Sequence, residues 1–215
     1  MGAILAGAGK TKLTSMVLER LLNPPIEEKR AVAYFYCNRN EPKRQNSEII
    51  LRTIIQQLSV RGSTGSLPRC VMAKYKERNK DGIESGPPGF KDCLSLLIEL
   101  LDIRSRTTIV IDGLDEIDSK MQRQDFLQAL KQIVNLSSSL VKLFVSSRDD
   151  TDITLALDSV PNLYIHAKDN KDDIERFIKQ EVEKSIEQKK LLRGEVSNEL
   201  RERIVEALID KASGM

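Results

Sequence analysis

Two kinds of apolar pattern alternate along the chain, one with helical spacing and one of uninterrupted short runs. Helical spacing over residues 13–21 predicts a first helix, and the apolar run AVAYFYC at 31–37 predicts a buried strand. Two more helices are predicted over 50–58 and 90–101. The stretch between them is rich in Gly, Pro, Ser and Lys, so we expect a loop with one short helix over 67–78.

The alternation continues in the second half of the chain. The apolar run TTIVID ends at Asp112, a helix is predicted over 126–134, and VKLFVSSR at 141–148 and NLYIHA at 162–167 predict further strands. Strands that are apolar on both faces and alternate with helices are typical of a parallel sheet covered on both sides. We therefore predict an α/β fold, in which ligands bind at the carboxyl ends of the strands.

Two amphipathic helices are predicted towards the end of the chain, with apolar residues over 174–182 and 200–209. Ser197 is a predicted N-terminal cap of the second. The predicted domains are an α/β core over residues 1–168 and a helical segment over residues 169–215.

Composition and charge narrow the class of protein. With 215 residues, of which 40% are apolar and 31% charged, the chain can bury a substantial core. The net charge of +2 comes from 34 basic and 32 acidic residues spread throughout, so direct binding to nucleic acid or membrane is not expected. No apolar run approaches the roughly 20 residues that span a bilayer. The first residues lack the charged start and the long apolar stretch of a secretion signal, and the cytoplasm is the expected location.

The cysteines and the histidine do not form a metal-binding pattern. Cys37, Cys70 and Cys93 lie far apart, and the single histidine, His166, has no cysteine near it in sequence. Zinc is therefore not expected. Cys37 and Cys93 are expected to be buried, reduced thiols.

The segment AGAGKTKL has the composition of a phosphate-binding loop. Three small residues before Lys10 would let backbone N–H groups approach phosphates closely, and the following helix adds its positive end. Lys10 supplies a mobile charge for the outer phosphates, while the Thr11 hydroxyl is a candidate magnesium ligand. The candidate nucleotide-binding residues are Ala6, Gly7, Ala8, Gly9, Lys10, Thr11 and Lys12.

This segment departs from the full pattern in one respect. The pattern G-x-x-x-x-G-K-[ST] would place its first glycine at position 4, where the chain has Ile4. We expect the strand that feeds the loop to be truncated, or replaced by a short run over residues 2–5. The side chains of Lys12 and Thr14 are expected mainly to solvate the helix.

An acidic run, IVIDGLDEID, follows the central predicted strand. Asp112 brings a carboxylate to the carboxyl edge of the sheet, where it is a candidate magnesium ligand with Thr11. A charge directly after an apolar strand is costly without a partner, which favours this functional interpretation. Asp115 and Glu116 are candidate bases for polarising a water molecule.

The segment SSR ends another apolar strand. If that strand lies between the loop strand and the Asp112 strand, Arg148 faces the terminal phosphate and can sense whether it is present. The candidate catalytic residues are thus Asp115, Glu116 and Arg148.

Seven segments carry a family resemblance: AGAGKTKL, AVAYFYCNRN, SEIILRTIIQQLS, IVIDGLDEID, VKLFVSSRDD, DNKDDIERFI and KASGM. Together they resemble the NACHT-type nucleotide-binding domain of STAND signalling ATPases. More narrowly, they resemble its nephrocystin-like subgroup in filamentous fungi, where the domain precedes ankyrin, WD or TPR repeats. The resemblance implies a three-layer P-loop NTPase fold with a mostly parallel sheet, and an additional strand between the loop strand and the acidic one.

The resemblance also implies the cofactors and the partners. The nucleotide is ATP or GTP, with ATP expected first, and it binds with Mg²⁺. Protein partners and nucleotide-dependent oligomerisation are expected through regions outside this chain. The residue roles that it implies are Thr11 and Asp112 on magnesium, Lys10 on phosphates, Asp115 or Glu116 near the attacking water, and Arg148 as sensor.

The leading hypothesis is a nucleotide-dependent signalling switch with slow magnesium-dependent hydrolysis. Two alternatives stay open. One is an AAA-type ATPase or a kinase with substrate-coupled turnover, although residues 149–168 show no clear lid. The other is a hydrolytically inactive interaction domain.

Overall fold

The chain divides into two compact units, Thr11–Val160 and a second unit that includes Pro161–Met215. A computed structural model describes residues 9–23, 30–60, 66–79, 86–117, 120–165 and 171–212.

Three parallel strands form the sheet of the first unit. They are β1 (Ala31–Tyr36), β2 (Arg106–Asp112) and β3 (Leu140–Val145), in the order β1-β2-β3. The register places Tyr36 opposite Asp112. The central strand β2 is buried after its first residue, as expected for a strand that is covered on both faces. The predicted α/β fold with a parallel sheet is confirmed.

Helices pack on both faces of this sheet. The helices are α1 (Lys10–Leu22), α2 (Ser47–Val60), α3 (Arg69–Arg78), α4 (Phe90–Asp102), α5 (Lys120–Leu136) and α6 (Thr151–Ala156). Successive strand residues point to opposite faces. Ala33 and Ile109 join an apolar cluster with α2, α4 and α5, while Val32 and Val110 pack with Leu18 of α1.

The first five helices confirm the sequence prediction, but the buried face of α1 differs from the expected one. Met16, one of the apolar positions that give residues 13–21 their helical spacing, is exposed. Thr14 and Leu18 are the buried residues of α1 instead. The prediction that Thr14 solvates the helix is therefore wrong.

A strand is predicted over residues 162–167, but the part of this range that the structure describes does not form one. Residues 162–165 adopt no regular structure, and Leu163 is 82% exposed. A short apolar run produces a strand only where a neighbouring strand is available to pair with it. The element that follows β3 is the short helix α6, which ends before these residues.

The second unit contains two longer helices, α7 (Lys171–Glu187) and α8 (Asn198–Ala212), which pack against each other. The Ser197 hydroxyl accepts the Leu200 N–H at 3.2 Å, which confirms the predicted cap. In the part of the chain that the structure describes, no helix combines the length and the apolar character needed to cross a membrane.

Candidate functional site

A buried carboxylate that accepts three hydroxyl groups lies at the carboxyl end of β2. Asp112 is 5% exposed. Its Oδ2 accepts a hydrogen bond from Thr11 Oγ1 at 2.7 Å, and its Oδ1 accepts one from Thr14 Oγ1 at 2.7 Å and one from Ser146 Oγ at 2.5 Å. A buried charge needs such donors, because its desolvation is costly. These hydrogen bonds join α1, β2 and the segment after β3 at one point.

Thr11 reaches this carboxylate from the first turn of α1. Gly9 has φ of 77°, a left-handed conformation that glycine adopts readily, and Lys10 is the first residue of the helix. The first N–H groups of a helix lack intrahelical acceptors, and its positive end attracts anions. The Lys12 side chain is exposed. Three other predicted loop residues lie outside the described residues: Ala6, Gly7 and Ala8.

The turn after β2 is fixed to the end of β3. Ser146 Oγ accepts the Gly113 N–H at 3.1 Å while its own hydrogen goes to Asp112. The Ser146 backbone N–H donates to the Ile111 carbonyl at 2.9 Å, and its carbonyl accepts the Leu114 N–H at 3.0 Å. Gly113 has φ of 72°, which favours glycine at this position. The acidic turn therefore has a defined orientation relative to β3.

Asp115 lies in this turn, and its carboxylate sits between two arginines. The side chain is 3% exposed. Its Oδ1 accepts the backbone N–H of Arg148 at 2.9 Å, and its Oδ2 lies 3.3 Å from Arg148 Nε and 3.6 Å from Arg39 Nη2. Asp115 was predicted as a base and Arg148 as a phosphate sensor. The structure places them in an ion pair with each other.

Glu116 is the more accessible of the two candidate bases. It is half-buried, and its Oε2 accepts the backbone N–H of Arg39 at 2.9 Å. This bond ties the acidic turn to the loop that follows β1.

Sequence reasoning missed Arg123, a buried arginine of α5. Its Nε and Nη2 donate to the two carboxylate oxygens of Asp152 at 2.7 and 2.9 Å. Its Nη1 donates to the Asp115 carbonyl at 3.1 Å and lies 3.1 Å from Asp150 Oδ2. Burial raises the pKa of Asp152, but the hydrogen bonds and the charge of Arg123 outweigh this effect and hold that pKa below its usual value.

Thr14 and Ser146 were also missed as site residues. Thr14 is three positions after Thr11, a spacing that puts both side chains on one face of a helix. Ser146 was noted as part of the SSR segment without a role. Both signals were present in the sequence, but neither specifies a contact with Asp112.

Cys37 is buried beside the acidic edge, and its N–H donates to the Asp112 carbonyl at 2.9 Å. Its burial confirms the prediction. Burial and, to a smaller extent, the charges of Glu116, Asp112 and Asp115 together raise the pKa of the thiol to about 12, against the opposing charge of Arg44.

Iodoacetamide at pH 8 is expected to leave Cys37 unmodified in the folded protein. The thiolate is the reactive form, and a pKa of about 12 leaves roughly one Cys37 thiol in ten thousand ionised at that pH. Mass spectrometry of peptides after timed alkylation measures this, with the half-buried Cys70 as internal comparison. Equal alkylation rates at Cys37 and Cys70 would contradict the expected protection.

The groups around Asp112 are chemically suited to a hard cation beside an anion. A threonine hydroxyl and a carboxylate are oxygen ligands of the kind that Mg²⁺ prefers. They lie at the N-terminal turn of α1, and helix N-termini favour phosphate groups. The residues present therefore fit a magnesium-bound phosphate.

The parallel sheet and the hydroxyl-bound acid at its carboxyl edge define an α/β protein with a candidate ligand site at the ends of its strands. A family model described as Nephrocystin 3, N-terminal matches residues 4–148, about two thirds of the chain. The chain belongs to this family. No curated protein and no solved structure shows a match.

Proposed function

We propose that this chain is a nucleoside-triphosphate-binding switch domain of the NACHT type, part of a larger STAND signalling protein. It would bind ATP, or GTP, with Mg²⁺ and hydrolyse it slowly. The observation that carries the proposal is the 2.7 Å hydrogen bond between Thr11 and Asp112. This bond joins the start of α1 to the acidic edge of the sheet, where nucleotide phosphates bind in α/β proteins.

Each candidate residue has a role in this proposal. Lys10 and the N–H groups around it bind phosphates, and Thr11 and Asp112 would hold Mg²⁺. When bound, the ion would stabilise negative charge on the terminal phosphates. Glu116 orients the attacking water because it is more accessible than the buried Asp115.

The ion pair between Asp115 and Arg148 supports a switch more than a fast enzyme. The Arg148 side chain is 41% exposed, so a terminal phosphate can compete with Asp115 for its guanidinium. A ligand that prefers one of two arrangements shifts the population towards it. In this proposal, regions outside this chain produce the effector output, bind protein partners and mediate oligomerisation.

Magnesium nucleotide is expected to stabilise the folded chain against heat. At 100 times its dissociation constant, a ligand that binds only the native state adds about 2.7 kcal/mol to the free energy of unfolding. Thermal unfolding with MgATP, MgGTP, Mg²⁺ alone and no ligand measures this.

The same experiment separates the alternatives. No stabilisation by either magnesium nucleotide would contradict the proposal and favour an inactive interaction domain. Stabilisation together with rapid, substrate-stimulated phosphate release would favour a catalytic ATPase or kinase over a switch.

A further inference from the structure

We infer that Thr14 and Ser146 are positioning residues for the metal-binding carboxylate of Asp112. They bind its Oδ1, so that its Oδ2 stays available to Thr11 and the cation. This inference rests on the proposed function, because it concerns the same site.

The two hydroxyls occupy one oxygen of the carboxylate. Thr14 Oγ1 and Ser146 Oγ both donate to Oδ1 of Asp112, at 2.7 and 2.5 Å. A carboxylate oxygen has two lone pairs in its plane, so these two bonds fill the acceptor sites of Oδ1. Among the residues that the structure describes, Oδ2 accepts a hydrogen bond from Thr11 only, which leaves it a lone pair for a cation.

Burial distinguishes the two sides of the carboxylate. Thr14 is 0% exposed, whereas Thr11, one helical turn earlier, is exposed. The bond from Thr14 to Oδ1 is buried, whereas the bond from Thr11 to Oδ2 is only partly buried. This is the orientation in which an ion can approach Oδ2 with its water shell.

Ser146 has a fixed hydrogen-bonding direction. Its oxygen accepts the Gly113 N–H at 3.1 Å, so its single hydrogen is available for Asp112. The bond links the orientation of the carboxylate to the end of β3, the strand that leads to Arg148.

The holding groups matter because the terminal torsion of an aspartate is soft. This torsion has a broad distribution, so an aspartate without fixed partners samples many orientations of its oxygens. Removing a group that orients a metal ligand typically lowers the metal affinity by about 10–100-fold.

Thr14→Val tests the inference, because valine keeps the branched shape and loses only the hydroxyl. We expect the magnesium concentration needed for half-maximal tightening of nucleotide binding to rise about tenfold. Affinity without magnesium should stay unchanged. The measurement is the binding of N-methylanthraniloyl-ATP, followed by fluorescence, across a Mg²⁺ titration and in EDTA. Thr14→Ser, which keeps the hydroxyl, should retain the wild-type magnesium requirement.

Two further variants complete the experiment. Ser146→Ala removes the other donor to Oδ1 and should shift the magnesium requirement in the same direction, which keeps the test open if Thr14→Val does not fold. Thr53→Val is the matched control, because Thr53 Oγ1 donates to the Ile49 carbonyl at 2.8 Å within α2. It should leave the magnesium requirement unchanged.

The outcomes are distinct. An unchanged magnesium requirement in folded Thr14→Val and Ser146→Ala would overturn the inference alone. An equal loss of affinity with and without magnesium would also overturn it, because that result indicates a purely structural role. Absence of nucleotide binding by the wild-type chain would overturn the proposed function, and the inference with it.

Discussion

Asp112→Asn is expected to remove the magnesium dependence of nucleotide binding and to lower the rate of hydrolysis about a thousandfold. Asparagine keeps the size of the side chain and one oxygen acceptor for the surrounding hydroxyls, but it loses the charge that attracts the cation. A bound metal ion contributes several kcal/mol of charge stabilisation, and about 1.4 kcal/mol corresponds to a factor of ten in rate. Phosphate release and nucleotide affinity across a magnesium titration measure the effect.

Asp102→Asn is the matched control for this variant. Asp102 also accepts hydrogen bonds, from the Ser138 N–H at 2.7 Å and the Ser137 hydroxyl at 3.0 Å, but it ends α4 and is exposed. Its replacement should leave nucleotide binding unchanged. If Asp112→Asn kept the magnesium dependence of the wild type, Asp112 would not be a metal ligand.

Arg123→Met is expected to lower the free energy of unfolding by about 3 kcal/mol. Removing one partner of a buried ion pair typically costs 3–5 kcal/mol, because the other charge is left uncompensated. The lower end applies here, since Asp150 and Asp152 are partly exposed. Urea unfolding measures the change. The exposed pair of Arg201 and Glu183, 3.0 Å apart, provides the control, because Arg201→Met should cost less than about 1 kcal/mol.

The free energy of unfolding of Arg123→Met is also expected to depend on pH less steeply than that of the wild type. The folded-state pKa of Asp152 is lowered, so the pair stabilises the fold above the unfolded-state pKa of the aspartate, near 4. This contribution is lost as the pH falls through the folded-state value. Arg123→Met should therefore lose less stability between pH 5 and pH 3 than the wild type. Equal losses in the two proteins would contradict the assigned role of the pair.

The sequence predicts the sheet well because a strand that is buried on both faces is an uninterrupted run of apolar residues. β2 reads as an uninterrupted apolar run that ends in Asp112, and the structure buries it as predicted. Residues 162–165 have a similar local pattern and form no strand. Local apolarity carries no information on whether a pairing edge is available, and this explains why the described residues 162–165 form no strand.

The candidate site is predictable only in part. The residue types and their order along the chain indicate Thr11 and Asp112 as site residues, and the structure places the two in direct contact. The role of Thr14 depends on how deeply α1 packs over β2, which no local pattern specifies. Arg123 occupies a position that reads as polar surface, because the acids that neutralise it follow β3, on a different element of the fold.

The most direct test of the central claim is the dissociation constant of MgATP for the wild-type chain and for Lys10→Ala, measured by calorimetry. The exposed Lys131 of α5 supplies the control Lys131→Ala. A hydrogen bond to a charged group contributes about 1.5–3 kcal/mol, so we predict that Lys10→Ala binds at least tenfold more weakly while Lys131→Ala binds like the wild type. Equal affinity of Lys10→Ala and the wild type, or no binding by either, would contradict the account.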